Sequence, residues 1–349
     1  MLTKYSLARV VVLVPLLSLC VFGYEKIDMA KWDNPVYFTT NIRIHGDLIS
    51  VFDSKEWKLK LYDVSKGLES PTFLWETTGA GPGPNEIPKD TKVNNVAVDL
   101  NHSEVWMSHQ YGFKVYDLHS GVQKRNTVMP FNAAWVEINA GSVFITSEKP
   151  FQKRVVLQEL KGTLDPKVDD LSPFIVSSIE HPTGIPVTDS GAFLNLRPEL
   201  FFLNGRFYAW EFIIGELCII ENNQITAFER IPQHHYLSKR MKPVSYDGIA
   251  NQPSMQVMGI PFPECGMVYS EGTIWTSLFC PRDPYPMRAF VQLDENGKVV
   301  GKYTHQLFKD FESIFRCYLL SLEDHTFIVF DAVEGDTIYK IPKRELIKL

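Results

Sequence analysis

The side chains best able to do chemistry in this chain are oxygen donors and guanidinium groups at the starts of short apolar runs. Asn94 and Asn95, Asn132, the pair Arg197 and Glu199 around Pro198, Glu264 and Arg316 all hold such places. Asn and Glu oxygens gathered from several strand starts would suit a hard cation of the Ca²⁺ kind. On that reading Glu199 and Asn132 are the metal ligands. Arg197 and Glu199 are two residues apart, so on an extended strand they share a side. On a second reading they neutralise each other, since an unpaired buried carboxylate is costly. Another group sits in long Pro- and Gly-punctuated stretches: Tyr246 and Arg282, with Tyr236 and Tyr285 nearby. Aromatic rings beside a cation suit a peptide or glycan.

Other chemistries lack their residues. His234 and His235 are adjacent, not at helical ligand spacing, and no Cys-x-x-Cys or Gly-x-Ser-x-Gly occurs. The glycines at 79, 81 and 83 are not followed by Lys-Ser/Thr, and the interleaved prolines remove amide donors, so this is no phosphate loop.

The elements that must position these groups are strands. Apolar or alternating runs of four to eight residues dominate, bounded by Gly, Asn-Gly, Asp and Pro. Only residues 234–240 and 306–313 carry short helical patterns. A repeat emerges when runs ending in an acidic or polar residue are aligned: 58–63, 113–117, 154–159, 216–221, 289–294 and 336–340. Each follows an aromatic-rich strand, at 48–52, 105–108, 143–146, 207–210, 274–277 and 327–330. These pairs read as the second and third strands of six four-stranded units. The chain is therefore expected to be all-β, a six-bladed β-propeller of antiparallel blades; a β-sandwich pair or a larger barrel is the rival. The last unit lacks an outer strand after Tyr339, and the segment before Asn41 is expected to supply it.

Residues 79–83, followed by Asn95–Asp99, Trp106–Ser108 and Lys114–Gly121, resemble the extracytoplasmic bacterial six-bladed propellers related to NHL repeats. Such chains often carry a Gly-x-Gly-Pro-Gly-Glu connector before a blade of this rhythm. Here Pro84 stands at the acidic position and Glu86 follows two residues later. The close match spans residues 72–121, and it implies fold and compartment more than activity. A calcium site at the channel mouth, as in six-bladed lactonases, is the enzymatic expectation attached to this architecture.

The first 23 residues are read as a signal peptide, with Lys4 and Arg9 ahead of an apolar run that ends at Gly23. That run is shorter than the roughly 20 residues a membrane helix needs. A lipid anchor at Cys20 is the alternative, with the bulky Leu19 a poor neighbour for it. Residues 24–349 form the propeller domain, with no transmembrane segment in the mature chain, which is expected to be periplasmic or extracellular and monomeric. The net charge of −6 over 349 residues argues against nucleic acid. Of five cysteines, Cys265 and Cys280 flank a hairpin turning at Glu271-Gly272 and are expected to form the one disulfide.

In such a ring the connectors between blades, and the loops between second and third strands, emerge on one face. The longest stretches fall there: residues 79–92, 181–197, 233–264 and 280–288. Long loops on a rigid frame are the usual seat of binding. The expected function is an exported, non-catalytic binding propeller taking a protein, peptide or glycan on this face, with no cofactor. The expected site residues are Asn95, Asn132, Arg197, Glu199, Tyr246, Glu264, Arg282 and Arg316. The alternative is a metal-dependent hydrolase or lactonase with Ca²⁺ at the channel mouth.

Overall fold

A computed structural model describes residues 23–349 apart from 82, 84–85, 90, 129–131, 149–154, 161–174, 181–184, 189–192, 195–197, 212–215, 231–240, 245–256, 259–266, 282–285, 308–316, 324 and 332–334. The chain folds as a six-bladed β-propeller. Blade one runs from its inner to its outer strand through Thr39–His45, Leu48–Asp53, Lys58–Asp63 and Thr72–Glu76. Blade two follows with Val93–Asp99, Glu104–His109, Gly112–Asp117 and Gln123–Val128, and blade three with Asn132–Asn139, Ser142–Glu148, Val155–Leu160 and Ile175–Glu180. Blade four comprises Glu199–Leu203, Arg206–Glu211, Glu216–Glu221 and Gln224–Arg230. All six aligned pairs of runs are second and third strands, as their sequence rhythm predicts.

The last two blades borrow strands. Blade six has Cys317–Glu323, Thr326–Asp331 and Thr337–Pro342, and its outer strand is the N-terminal Glu25–Asp28, with Glu25 opposite Lys340 and Asp28 opposite Thr337. The expected closure is therefore present. Blade five has Met267–Ser270, Thr273–Pro281, Pro286–Leu293 and Val299–Thr304, and gains a fifth strand when C-terminal Ile347–Lys348 pairs beside Tyr303 and Thr304.

Strand alternation explains why the blades stack into a ring. Each strand turns successive side chains to opposite faces, and each blade face meets a neighbour. Six buried clusters result, one per junction. Ile42 and Ile49 pack with Ile328 and Phe330 between blades six and one, and Leu61 and Trp75 with Val105 and Tyr116 between one and two. Trp106 and Val115 meet Val136 and Ile145, while Trp135 and Leu157 meet Leu200 and Cys218. Trp210 and Leu217 meet Ile274 and Val291, and Trp275 and Phe290 meet Phe327 and Ile341.

The two faces of the ring differ. Turns from first to second and from third to fourth strands are mostly tight. Asn204-Gly205 and Glu271-Gly272 hold both residues at positive φ, the conformation a two-residue hairpin turn requires. The opposite face carries the long connectors, and two of them are not plain loops. Between blades three and four the chain forms Ile185–Thr188 and Phe193–Leu194; between four and five it forms Met241–Val244 and Val257–Met258. These join as one four-stranded sheet: Ile185–Thr188 lies antiparallel to Met241–Val244, and Phe193–Leu194 parallel to Val257–Met258. The stretch expected as a loop over residues 280–288 is also mostly strand. Its ladder continues to Pro281 opposite Pro286, because the hairpin strands keep pairing up to the residues whose ring nitrogen cannot donate.

Candidate functional site: channel and long-connector face

The inner strands deliver side chains to the channel in a repeating register. Asn41, Asn95, Trp135 and Glu199 each lie four residues before the end of their inner strand. Three of them clamp the inner strand of the next blade. Asn41 Nδ2 donates to the Asn94 carbonyl at 2.8 Å, Asn95 Oδ1 accepts the Val136 N–H at 3.1 Å, and Glu199 Oε1 accepts the Met267 N–H at 3.1 Å. All three are buried. Inner strands expose backbone N–H and C=O edges to the axis with no fifth strand to satisfy them. A short amide or carboxylate from the preceding blade supplies the missing partner. Asn95 and Glu199, expected as ligand-binding groups, thus hold blade to blade by an oxygen that a cation would otherwise use.

Asn132, expected at the channel mouth, is the first residue of the inner strand of blade three. Arg197, Tyr246, Glu264, Arg282, Arg316 and Cys265 lie outside the described residues, as do Tyr236, Tyr285, His234 and His235. Cys280 falls in the second strand of blade five, opposite Met287; its pairing with Cys265 lies outside what is described. The hairpin itself has the expected register, Ser270 opposite Thr273. Among the described residues no three His, Cys, Asp or Glu side chains gather as a metal site, and no helix is long and apolar enough to cross a membrane.

Two residues closer to the tight-turn face, the register position holds Arg43, Ala97, Glu137 and Phe201 in blades one to four. Arg43 reaches past blade two, where the residue is only alanine, and places its guanidinium carbon 4.1 Å from the centre of the Trp135 ring in blade three. Burial pushes the Glu137 carboxyl up to about 8, against the opposing pull of Arg43 and of the Trp135 indole. His45, at the end of the same strand as Arg43, is driven down to about 3 by burial and by that guanidinium, with Nε2 3.5 Å from Ser50 Oγ. Arg43 is thus an electrostatic neighbour of Glu137; the pairing expected of Arg197 and Glu199 is outside the described residues, because Arg197 is. The signal was available: Arg43 stands between Ile42 and Ile44, and Glu137 between Val136 and Ile138, so period two turns each to the side opposite its apolar neighbours.

The connector from blade one to blade two is ordered by its own bonds. Ala80 and Ile87 form a parallel bridge, Ile87 N donates to Gly79 O at 2.9 Å, and Gly83 N donates to Glu86 Oε2 at 2.6 Å. Glu86, displaced by two positions from the expected acidic place, lies against Gly81 and Gly83, and a side chain at either position would have to displace its carboxylate. Buried Lys114 of blade two donates to Glu86 O at 2.6 Å, and Trp57 Nε1 of blade one donates to Pro88 O at 2.9 Å. Beside them buried His109 accepts the Tyr111 N–H at Nδ1, 3.2 Å, which leaves its proton on Nε2; burial, then Lys114, lowers its pKa to about 4.

No known family profile matches the chain, and no curated protein matches it in sequence. Solved structures match its fold. One is a member of the DUF4221 family from Bacteroides vulgatus, with a TM-score of 0.53, 10% identity, and 93% of this chain and 96% of that chain covered. Another, from Bacteroides fragilis and described as an exported protein, aligns at a TM-score of 0.51 and 11% identity over 91% of this chain and 94% of that chain. These are likenesses of fold and carry no kinship to NHL repeats.

Proposed function

We infer that the chain is an exported propeller that binds a protein, peptide or glycan on its long-connector face. The observation that carries this reading is the sheet built jointly by the connectors 181–198 and 231–266. Two insertions that zip together hold a fixed surface, whereas insertions tolerated for their own sake need no mutual register. On the opposite face most of the described connections are tight turns. Export is supported by the leader-like pattern of residues 1–23 and by the description of the Bacteroides fragilis structure as exported. The kinship with NHL-related extracytoplasmic propellers, read from residues 72–121, belongs to the same proposal.

The test replaces residues 231–266 by a short Gly/Ser linker and probes both proteins on glycan and peptide arrays. The reading expects array ligands for the parent chain that the variant loses while its melting transition is retained. Equal binding by the two proteins would overturn it.

A further inference from the structure

We propose that Gly23 remains in the mature chain, docked against His305 and Glu345, and that the leader is hydrolysed between Cys20 and Val21 instead of after Gly23. The inference rests on the export reading above and moves its boundary. The outer strand of blade six runs from Glu25 opposite Lys340 to Asp28 opposite Thr337, so the chain enters it from the tight-turn side. There it meets the C-terminal segment. The Glu345 carboxylate lies against Gly23, where an added Cβ would come within 2.8 Å of Oε2 and 3.0 Å of Cγ. A side chain at position 23 would have to push Glu345 aside. His305 supplies the second hold. It is buried, and its Nδ1 accepts the Leu307 N–H at 3.1 Å, which leaves the ring proton on Nε2. That N–H donates to the Gly23 backbone carbonyl; the bond and the nearby Glu345 oppose the lowering of the His305 pKa by burial. The next residue completes the contact. The Tyr24 ring stands edge-on to His305 at 6.1 Å and to Tyr339 at 5.5 Å, against the cluster between blades five and six.

A cut after Gly23 would take away the carbonyl and strand the buried His305 donor. The leader offers a second boundary that avoids this. Ser18 and Cys20 are small residues two apart, the pattern a leader peptidase reads before it cuts behind the second. The bulky Leu19 is a poor neighbour for a lipidated Cys20, but it falls at the middle position of this pattern, where any residue serves. Val10–Leu17 remains ahead as the apolar stretch. Hydrolysis adds water across the Cys20–Val21 bond, leaving a carboxylate on the leader and a free amine on Val21.

The experiment expresses the whole chain with its leader, purifies the exported form and measures its intact mass. The mass is expected to correspond to a chain that starts at Val21. A start at Tyr24, or at a lipid-bearing Cys20, overturns the proposal alone; an uncut chain of 349 residues overturns the export reading with it. Docking is read separately, by melting chains released from a fusion partner with Val21 or Tyr24 as the first residue. The shorter chain is expected to melt about 2–4 °C lower, the shift that one stranded buried donor produces. His305→Asn, whose Oδ1 can still accept the Leu307 N–H, is expected to erase that difference. Equal melting of the two unsubstituted chains overturns the docking, whether or not His305→Asn folds.

Discussion

At the scale of single residues, the chain spends its buried polar groups mainly on holding itself together. Asn95 is the clearest case: Asn95→Ala would leave the Val136 N–H without its acceptor in the channel wall. A loss of about 1–3 kcal/mol in urea unfolding is expected, the cost of orphaning one buried donor. Lys60 sits fully buried, its ammonium 2.5 Å from the Pro35 carbonyl and from Glu56, and 3.3 Å from Asp53. Lys60→Met is expected to cost about 3–5 kcal/mol because it strands the buried Asp53 carboxylate, and adding Asp53→Asn should recover part of that loss. His109 sets a pH limit. Its folded pKa of about 4 lies below the ordinary value of 6.5, so the stability it contributes is complete above pH 6.5 and drains as pH falls toward 4. Melting temperatures measured from pH 7 to 4 should fall less steeply in His109→Asn, whose Oδ1 can still accept the Tyr111 N–H.

At the scale of elements, the segment that closes the ring matters more than its length suggests. It adds the outer strand of blade six, and the residues after that strand carry Met29, Trp32 and Val36 into the junction with blade one. Each such apolar side chain is worth roughly 1.5–3 kcal/mol when buried. Together with Ile27 they approach the whole net stability of a typical domain, about 5–15 kcal/mol. A chain that begins at Asn41 is therefore expected to show no cooperative melting transition. A melting curve like that of the parent would mean that this strand closes nothing. The C-terminal strand is a smaller device. It pairs through two residues and covers an edge that would otherwise present free backbone groups.

At the scale of the whole molecule, the two faces of the ring differ in their connections. Among the described residues, mostly tight turns lie on one side, and connectors between blades elaborate the other. The channel mouth between them is organised by amide and carboxylate clamps, which bears on calcium. Since Asn95 Oδ1 and Glu199 Oε1 already accept backbone N–H groups, chelation with EGTA is expected to leave the melting temperature unchanged. A calcium-dependent rise that disappears in Glu199→Gln would favour the metal-dependent hydrolase.

The local chain determined the blades themselves. Period-two alternation, aromatic second strands and turn residues such as Asn204-Gly205 are short-range signals, so all twelve second and third strands, and the need for a closing strand, were legible from residues alone. The channel and the connector sheet were decided only by the tertiary structure. Arg43 and Trp135 are 92 positions apart, and nothing local says that an alanine in blade two lets one reach the other. Likewise, the pairing of Ile185 with Val244 depends on two blades first standing side by side. Contacts between blades depend on the rotation around the ring, and that rotation is a property of how six sheets pack, which no single stretch of sequence carries.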